Sequence, residues 1–249
     1  DKRGLCYDRR WLLVNERGLG LQQFDYPRLS LVIVSLEEDL LCIQAPGMPL
    51  LHVPLQPQDT RPLTAKWYKG CCKALPVSRQ ADEWFQQFLH VFCRLVFMPE
   101  DAPHFVEPTY SLGQNLAAFT SFPYHLLGEG SLNDLNQRLD MPVPLERFRP
   151  NLIIAGAPPF AEDSWHTLTI NQCTFHTVRP CNRCAITTVD TTSGIRTNKE
   201  PLKTLMSYRT FQQKIWFGQY LLSRDTGTLR VGDSVHILEL QDPVTVFSH

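Results

Sequence analysis

The sequence predicts a mainly β protein with some helix, an α+β fold containing a β-barrel-like domain. Short apolar runs separated by Gly, Pro and acidic turns dominate the chain, and such runs are typical of strands. Helical spacing occurs in only a few segments, and it does not alternate with strands as a parallel βαβ sheet would require. A chain of 249 residues is also long enough to bury a substantial core. Together these observations favour a β-barrel architecture over an alternating α/β fold.

The first third of the chain supplies four strand candidates. They are "RWLLVN" (10–15), "LSLVIVSL" (29–36), "LLCIQA" (40–45) and "PLLHVPL" (49–55). The period then changes, and apolar residues recur at helical spacing behind Ser78. We therefore predict a helix with Ser78 as its N-cap, ending near Arg94.

Residues 99–123 contain four prolines and predict a long loop at a domain boundary. We place a β-rich N-terminal domain at 1–105, a second domain at 106–240 and a tail at 241–249. Ser131 is the expected N-cap of a short helix in the second domain. Five strands are expected at 152–156, 167–170, 173–179, 185–190 and 229–238. A last helix is predicted to begin at Pro201 and to direct Leu202, Leu205 and Met206 inward.

Composition excludes several classes of function. Lys and Arg number 24 against 25 Asp and Glu, so there is no overall basic field for nucleic acid or an anionic membrane. The apolar runs are shorter than the roughly 20 residues of a membrane helix, which predicts no membrane segment in this chain. The eight cysteines lie mostly in apolar stretches, as reduced thiols of a cytoplasmic protein would.

The stretch "HTVRPCNRCAITTVDTTSG" (176–194) holds two cysteines three positions apart. A zinc site would need two further ligands at matching spacing, and a redox pair would need a helix start where "AITTVD" reads as a strand. Two thiols without a function are a third interpretation. In the fourth, one thiolate beside Arg183 binds a soft metal whose other ligands come from an anionic organic cofactor. The residues alone leave all four open.

Several ordered motifs carry a family resemblance. They are "FRPNLIIAG" (148–156), "AEDSW" (161–165), "CNRCAITTVD" (181–190), "KEPLKTLMSYR" (199–209), "FGQY" (217–220) and "RVGDSVHIL" (230–238). The series resembles the MOSC domain of the molybdenum cofactor sulfurase C-terminal superfamily, most closely the branch of amidoxime-reducing components and bacterial reductases of N-hydroxylated bases. Upstream, "GLCYDRRWLLVNERG" (4–18) and "PRLSLV" (27–32) resemble the β-rich domain that precedes MOSC in that branch.

The resemblance implies a β-barrel-like MOSC domain that binds molybdenum cofactor, with one protein cysteine completing the coordination of the metal. Cys184 matches that ligand and is the expected catalytic and metal-binding residue, while Cys181 would be a nearby structural thiol. The other residues expected at the cofactor are Arg9, Arg149, Asn151, Arg183, Thr120, Ser121 and Gln219.

The implied activity is reduction of N-hydroxylated compounds by oxygen-atom transfer from the N–O group to molybdenum. No iron-sulfur cluster is expected in this chain, so electrons would come from a separate ferredoxin, flavoprotein or cytochrome b5-like protein. An alternative is a non-catalytic module that carries molybdenum cofactor or sulfur.

The chain also departs from the family pattern. It starts after the point where members carry a Pro-Val/Ile-Lys-Ser-type strand, so its N-terminal domain is expected to lack that strand. The protein is expected to be cytoplasmic. The alternative is a protein that faces the cytosol and is held at a membrane by an N-terminal anchor in such a missing segment. Gln23 stands where relatives often have arginine, and Thr120 stands where an aspartate is common.

Overall fold

The fold is mainly β, as predicted. A computed structural model describes residues 1–249 except 58, 60, 69, 114, 197 and 244–249. In this described part the strands form a four-stranded, a three-stranded and a seven-stranded sheet. Most of the predicted tail lies outside the described residues.

The N-terminal half contains the two smaller sheets. The four-stranded sheet has the order β1-β7-β6-β5, and the three-stranded sheet has the order β2-β3-β4. The strands are β1 Trp11–Val14, β2 Ile33–Glu37, β3 Leu40–Gln44, β4 Leu51–Pro54, β5 Leu63–Trp67, β6 Gly70–Pro76 and β7 Arg94–Phe97.

Helix α1, Arg79–Leu89, packs its aromatic face into the core shared by these sheets. Ser78 caps it as predicted, because its side chain accepts a hydrogen bond from the Ala81 N–H. The helix ends earlier than predicted. His90 adopts the left-handed conformation, with φ 57°, and closes the last turn.

The C-terminal half is built on the seven-stranded sheet. Its main path is β14-β10-β11-β13-β8-β9, and β12 pairs with β13. The strands are β8 Tyr124–Gly128, β9 Leu152–Ile154, β10 Trp165–Ile170, β11 Cys173–Arg183, β12 Thr210–Phe211, β13 Lys214–Leu222 and β14 Val235–Leu240. Helices α2, Glu129–Gln137, and α3, Leu202–Tyr208, accompany them.

The predicted strand at 185–190 is wrong. Residues Ala185–Thr188 form a 3-10 helix instead. The hydroxyl of Thr187 donates to the Cys184 carbonyl at 3.1 Å, and that of Thr188 donates to the Ala185 carbonyl at 2.7 Å. These local bonds offer the backbone an alternative to a sheet ladder, and they stabilise a tight turn in a β-branched run.

Three smaller predictions also need correction. The prediction for 29–36 divides into a 3-10 helix, Pro27–Leu31, and β2, because Pro27 favours a first helical turn. Ser131 is not an N-cap, because it lies inside α2, where its hydroxyl donates to the buried Glu162 carboxylate at 2.7 Å.

The prediction that Met206 points inward is wrong. Met206 is 55% exposed, since α3 buries only the face that carries Leu205.

Residues 98–123 contain only an isolated bridge, Phe105 with Leu116, among those described. The stretch nevertheless packs well, because Val106, Ala117 and Phe122 are buried with Leu222 of β13. The domain boundary at 105/106 stays a prediction. No helix in the described residues is both long and apolar enough to cross a bilayer.

Candidate functional site

A bulge between β11 and β13 shapes the floor of the site. Asn182 pairs with Trp216 and Pro180 pairs with Gln219, so Phe217 and Gly218 together face a single residue of β11. Gly218 adopts φ +78°, and an added Cβ would lie 2.6 Å from His125 Nε2. The position therefore requires glycine for both conformation and space.

The two cysteines of the pair have different environments. Cys181 lies within β11 and is only 3% exposed. Cys184 follows the end of the strand, precedes the Ala185–Thr188 turn and is exposed. Both line a cavity of about 270 Å³, but of the two only Cys184 is an exposed residue.

Arg183 forms part of the cavity wall and is held by backbone carbonyls. Its Nε and Nη2 donate to the Phe217 carbonyl at 2.8 and 2.6 Å, and Nη1 donates to the Phe148 carbonyl at 3.1 Å. Nη2 also contacts Nε2 of the buried His125. Since a guanidinium only donates, this imidazole nitrogen accepts, and the ring proton lies on Nδ1. Burial, followed by the nearby Arg183 charge, lowers the pKa of His125 well below its ordinary value and keeps the ring neutral.

Arg9 and Arg149 form a second cationic region of the cavity. Both have positive φ angles, 54° and 52°, and Arg9 Nη2 donates to the Arg149 carbonyl at 3.0 Å. The side chain of Arg149 has a solvent-accessible surface, but that surface lies in the concave wall of the cavity, where neighbouring protein atoms displace part of the water. That partial desolvation, followed by repulsion from Arg9, lowers the pKa of Arg149. The residue stays charged, and an anion between the two guanidinium groups would relieve the repulsion.

Asp8 and Asn151 fix this region. Asp8 contacts Arg9 and accepts the Asn151 side-chain amide at 2.7 Å. The Asn151 side-chain oxygen accepts the His125 backbone N–H at 3.0 Å. Asn151 therefore joins the N-terminal segment to β8. Gln23 is also close, since its side-chain oxygen accepts Arg149 Nη1 at 3.3 Å.

Arg147 is a cavity residue that the sequence analysis missed. It is 9% exposed, and Nη2 donates to Asp190 at 2.7 Å. Its buried Nε has no hydrogen-bond partner within the described residues. Hydrogen bonds from the side chain and backbone of Thr192 and Ser193 hold the pKa of Asp190 well below its usual range. The position of Arg147 two residues before Arg149 in "ERFRPN" was the available signal.

The structure brings six of the eight predicted site residues to one cavity. They are Arg9, Thr120, Arg149, Asn151, Arg183 and Cys184. Ser121 is not among the lining residues, although its neighbours Thr120 and Phe122 are. Gln219 is not among the lining residues either; it is buried, and its amide donates to Asp163 at 2.7 Å. Besides Arg147, the sequence analysis missed His125 and Tyr220 as lining residues.

The mainly β scaffold carries a cavity that combines four arginines with an exposed cysteine, and guanidinium groups suit anions while thiolates suit soft metals. Two family models match the chain: the MOSC domain over residues 108–236 and the MOSC N-terminal beta barrel domain over residues 1–91.

Curated relatives agree with these matches. Mitochondrial amidoxime-reducing component 1 of Mus musculus is 36% identical, over 94% of this chain and 73% of the relative. Component 2 of Rattus norvegicus is 35% identical over 94% and 74%, and component 1 of Homo sapiens is 33% identical over the same shares. The chain belongs to the MOSC-domain family, in the branch of the amidoxime-reducing components.

Proposed function

We propose that this chain is a molybdenum-cofactor-dependent reductase of N-hydroxylated compounds, with Cys184 as the protein ligand of the metal. Membership of the branch makes the chain a molybdenum-dependent reductase. The finer proposal, with its substrate class and residues, rests mainly on one observation. The exposed Cys184 lines a cavity together with four arginines.

The residues fit an anionic, metal-bearing cofactor. Thiolates are ligands for soft metals, and guanidinium groups suit phosphate oxygens. The mutual repulsion of Arg9 and Arg149 is a cost that a bound anion would reduce. When bound, the cofactor would supply the two-electron oxygen-atom acceptor that N–O reduction needs.

The chain itself supplies position and electrostatics. We propose that Arg9, Arg147 and Arg149 bind the anionic part of the cofactor. Arg183 would contribute charge from a fixed position, because backbone carbonyls already occupy most of its donors. Asn151 holds the Arg9 side of the wall through Asp8.

We propose N-hydroxylated small molecules as substrates, since all three relatives named above are amidoxime-reducing components by name. The electron donor is proposed to be a separate ferredoxin, flavoprotein or cytochrome b5-like protein.

Metal analysis and turnover test this proposal. Protein made in a host that synthesises molybdenum cofactor should contain about one molybdenum per chain and reduce benzamidoxime with a reduced viologen dye. Cys184→Ser should lose the turnover. Cys181→Ser is the matched control, because that thiol is buried, and it should keep both metal and turnover.

Two results would contradict the proposal. Normal turnover by the Cys184→Ser protein would show that Cys184 is not the ligand of the metal. Wild-type protein that carries the cofactor and transfers it to an apo-enzyme, without reducing the substrate, would favour the carrier function instead.

A further inference from the structure

A second group of metal-ligating side chains lies on the three-stranded sheet, outside the arginine-lined cavity. Glu37 is on β2, Cys42 on β3 and His52 on β4. One carboxylate oxygen, the thiol sulfur and one imidazole nitrogen all lie within 4.8 Å of one another. We propose that these three side chains bind a zinc ion.

Strand register places the three residues together. Cys42 is directly opposite His52 on one side and Ser35 on the other, and Glu37 is two residues from Ser35 on the same strand. Side chains two residues apart on a strand share a face, so all three ligands lie on one face of the sheet.

That face is the outer one. The neighbours of Cys42 along β3, Leu41 and Ile43, belong to the hydrophobic core, as do Leu51 and Val53 beside His52. Because side chains alternate along a strand, Cys42 and His52 point away from this core. Glu37 and His52 are exposed, whereas the side chain of Cys42 is only 1% exposed. The cluster therefore has a covered sulfur at its base and two side chains that are free to adjust.

The donor set and distances suit zinc. Sulfur, imidazole nitrogen and carboxylate oxygen are its usual protein ligands, and a site with three of them leaves a fourth position for water. In a tetrahedral zinc site neighbouring ligand atoms lie roughly 3.3–3.8 Å apart, so the donor atoms need to approach one another by no more than about 1.5 Å. Rotation of the exposed Glu37 and His52 side chains can supply it.

Charge favours the same ligand. A thiol loses its proton when it coordinates a metal, so the cation would be balanced by the Cys42 thiolate and the Glu37 carboxylate. The charges of the donor set therefore suit a divalent ion.

A bound zinc would also connect the outer strand to the rest of the sheet. All five residues of β2 are exposed, so few buried contacts hold this strand. Coordination through Glu37 would tie β2 to β3 and β4. Zinc should therefore raise the melting temperature of the protein, because it binds only the folded arrangement.

The test is a zinc titration of the tag-free 249-residue chain against a chromophoric chelator, with cobalt(II) spectra as a second readout. We expect one zinc per chain and a sulfur-to-cobalt charge-transfer band. Glu37→Gln and His52→Ala should each weaken binding by about tenfold or more, because even loss of an outer-sphere partner typically costs 10–100-fold. Cys42→Ser should abolish the charge-transfer band.

Cys71→Ser and Cys184→Ser are the matched controls, since both of these thiols are exposed and lie outside the cluster. They should leave zinc affinity at the cluster unchanged. Because His52 is exposed, His52→Ala should fold normally and remain informative even if Cys42→Ser does not. Absence of stoichiometric zinc, or zinc affinity unchanged by His52→Ala, would overturn the proposal. Zinc binding lost only in Cys184→Ser would also overturn it, by locating the metal in the cavity.

Discussion

Arg183 and Arg149 both line the cavity, but the structure gives them different roles, which substitution by alanine should separate. Arg183→Ala removes the donors to three buried acceptors: the carbonyls of Phe148 and Phe217 and the imidazole of His125. An unsatisfied buried acceptor costs about 1–3 kcal/mol. Because cavity water can reach part of this wall, the lower end of this range applies to each acceptor. For three acceptors the expected loss of unfolding free energy is about 3 kcal/mol.

Arg149→Ala is the matched comparison. Its exposed side chain makes one long hydrogen bond, of 3.3 Å, to Gln23. Truncation should therefore change the free energy of unfolding by no more than about 0.5 kcal/mol, as at an ordinary surface position. It should still weaken retention of the cofactor, because it removes one of the two neighbouring cations.

Thermal unfolding of protein made in a host that lacks the cofactor measures the first effect. For a chain of this size about 3 kcal/mol corresponds to a fall in Tm of roughly 6–12 °C, expected for Arg183→Ala alone. Pterin content of protein made in a cofactor-producing host measures the second effect. Equal loss of Tm in the two variants, or a Tm for Arg183→Ala within about 2 °C of wild type, would refute the reasoning.

Three further predictions concern the scaffold. Burial raises the pKa of the Glu162 carboxyl above its ordinary value of 4.5. Between that value and the folded pKa, the folded state binds more protons than the unfolded state. The free energy of unfolding therefore falls as the pH rises through this range. Glu162→Gln should flatten that slope in urea unfolding measured across pH, and an unchanged slope would contradict the assignment. Gly218→Ala should lower Tm, because its Cβ would meet His125 Nε2 at 2.6 Å, and an unchanged Tm would show that the bulge can shift. Ser78→Ala should cost about 1 kcal/mol in chemical denaturation through loss of the helix cap, whereas Ser78→Asp should retain most of it.

The spacing of apolar residues predicted those helices and strands that depend mainly on their own sequence. Helix α1 followed from its apolar spacing and from the Ser78 cap, and β1, β3 and β4 followed from short apolar runs. Strands β5, β6 and β7 were missed. β5 and β6 mix polar with apolar residues, and β7 begins at Arg94, where the predicted helix was expected to end. All three depend on pairing among themselves and with β1. The 185–190 run was assigned to a strand because threonine back-bonding is invisible to a hydrophobic period.

The candidate site was only partly predictable for a similar reason. Motif resemblance pointed to Cys184, Arg9, Arg149 and Arg183, which all line the cavity. It did not identify Arg147, whose role as a buried cavity cation depends on tertiary contact with Asp190, 43 positions later in the chain. The nearness of Arg147 to Arg149 in the sequence was a signal, but its contact with Asp190 leaves no spacing pattern.

The arrangement of charge limits what the cavity can bind. Arg9 faces Asp8 and Arg147 faces Asp190, so two of the four guanidinium charges are balanced by carboxylates. In the described part of the chain, Arg149 and Arg183 hydrogen-bond only to neutral acceptors. A cavity with two unbalanced cations should disfavour a bare metal cation and favour a ligand with negative charge. Any metal at Cys184 must therefore arrive within an anionic group, whereas the Glu37, Cys42 and His52 cluster has the opposite electrostatics and suits a free divalent ion.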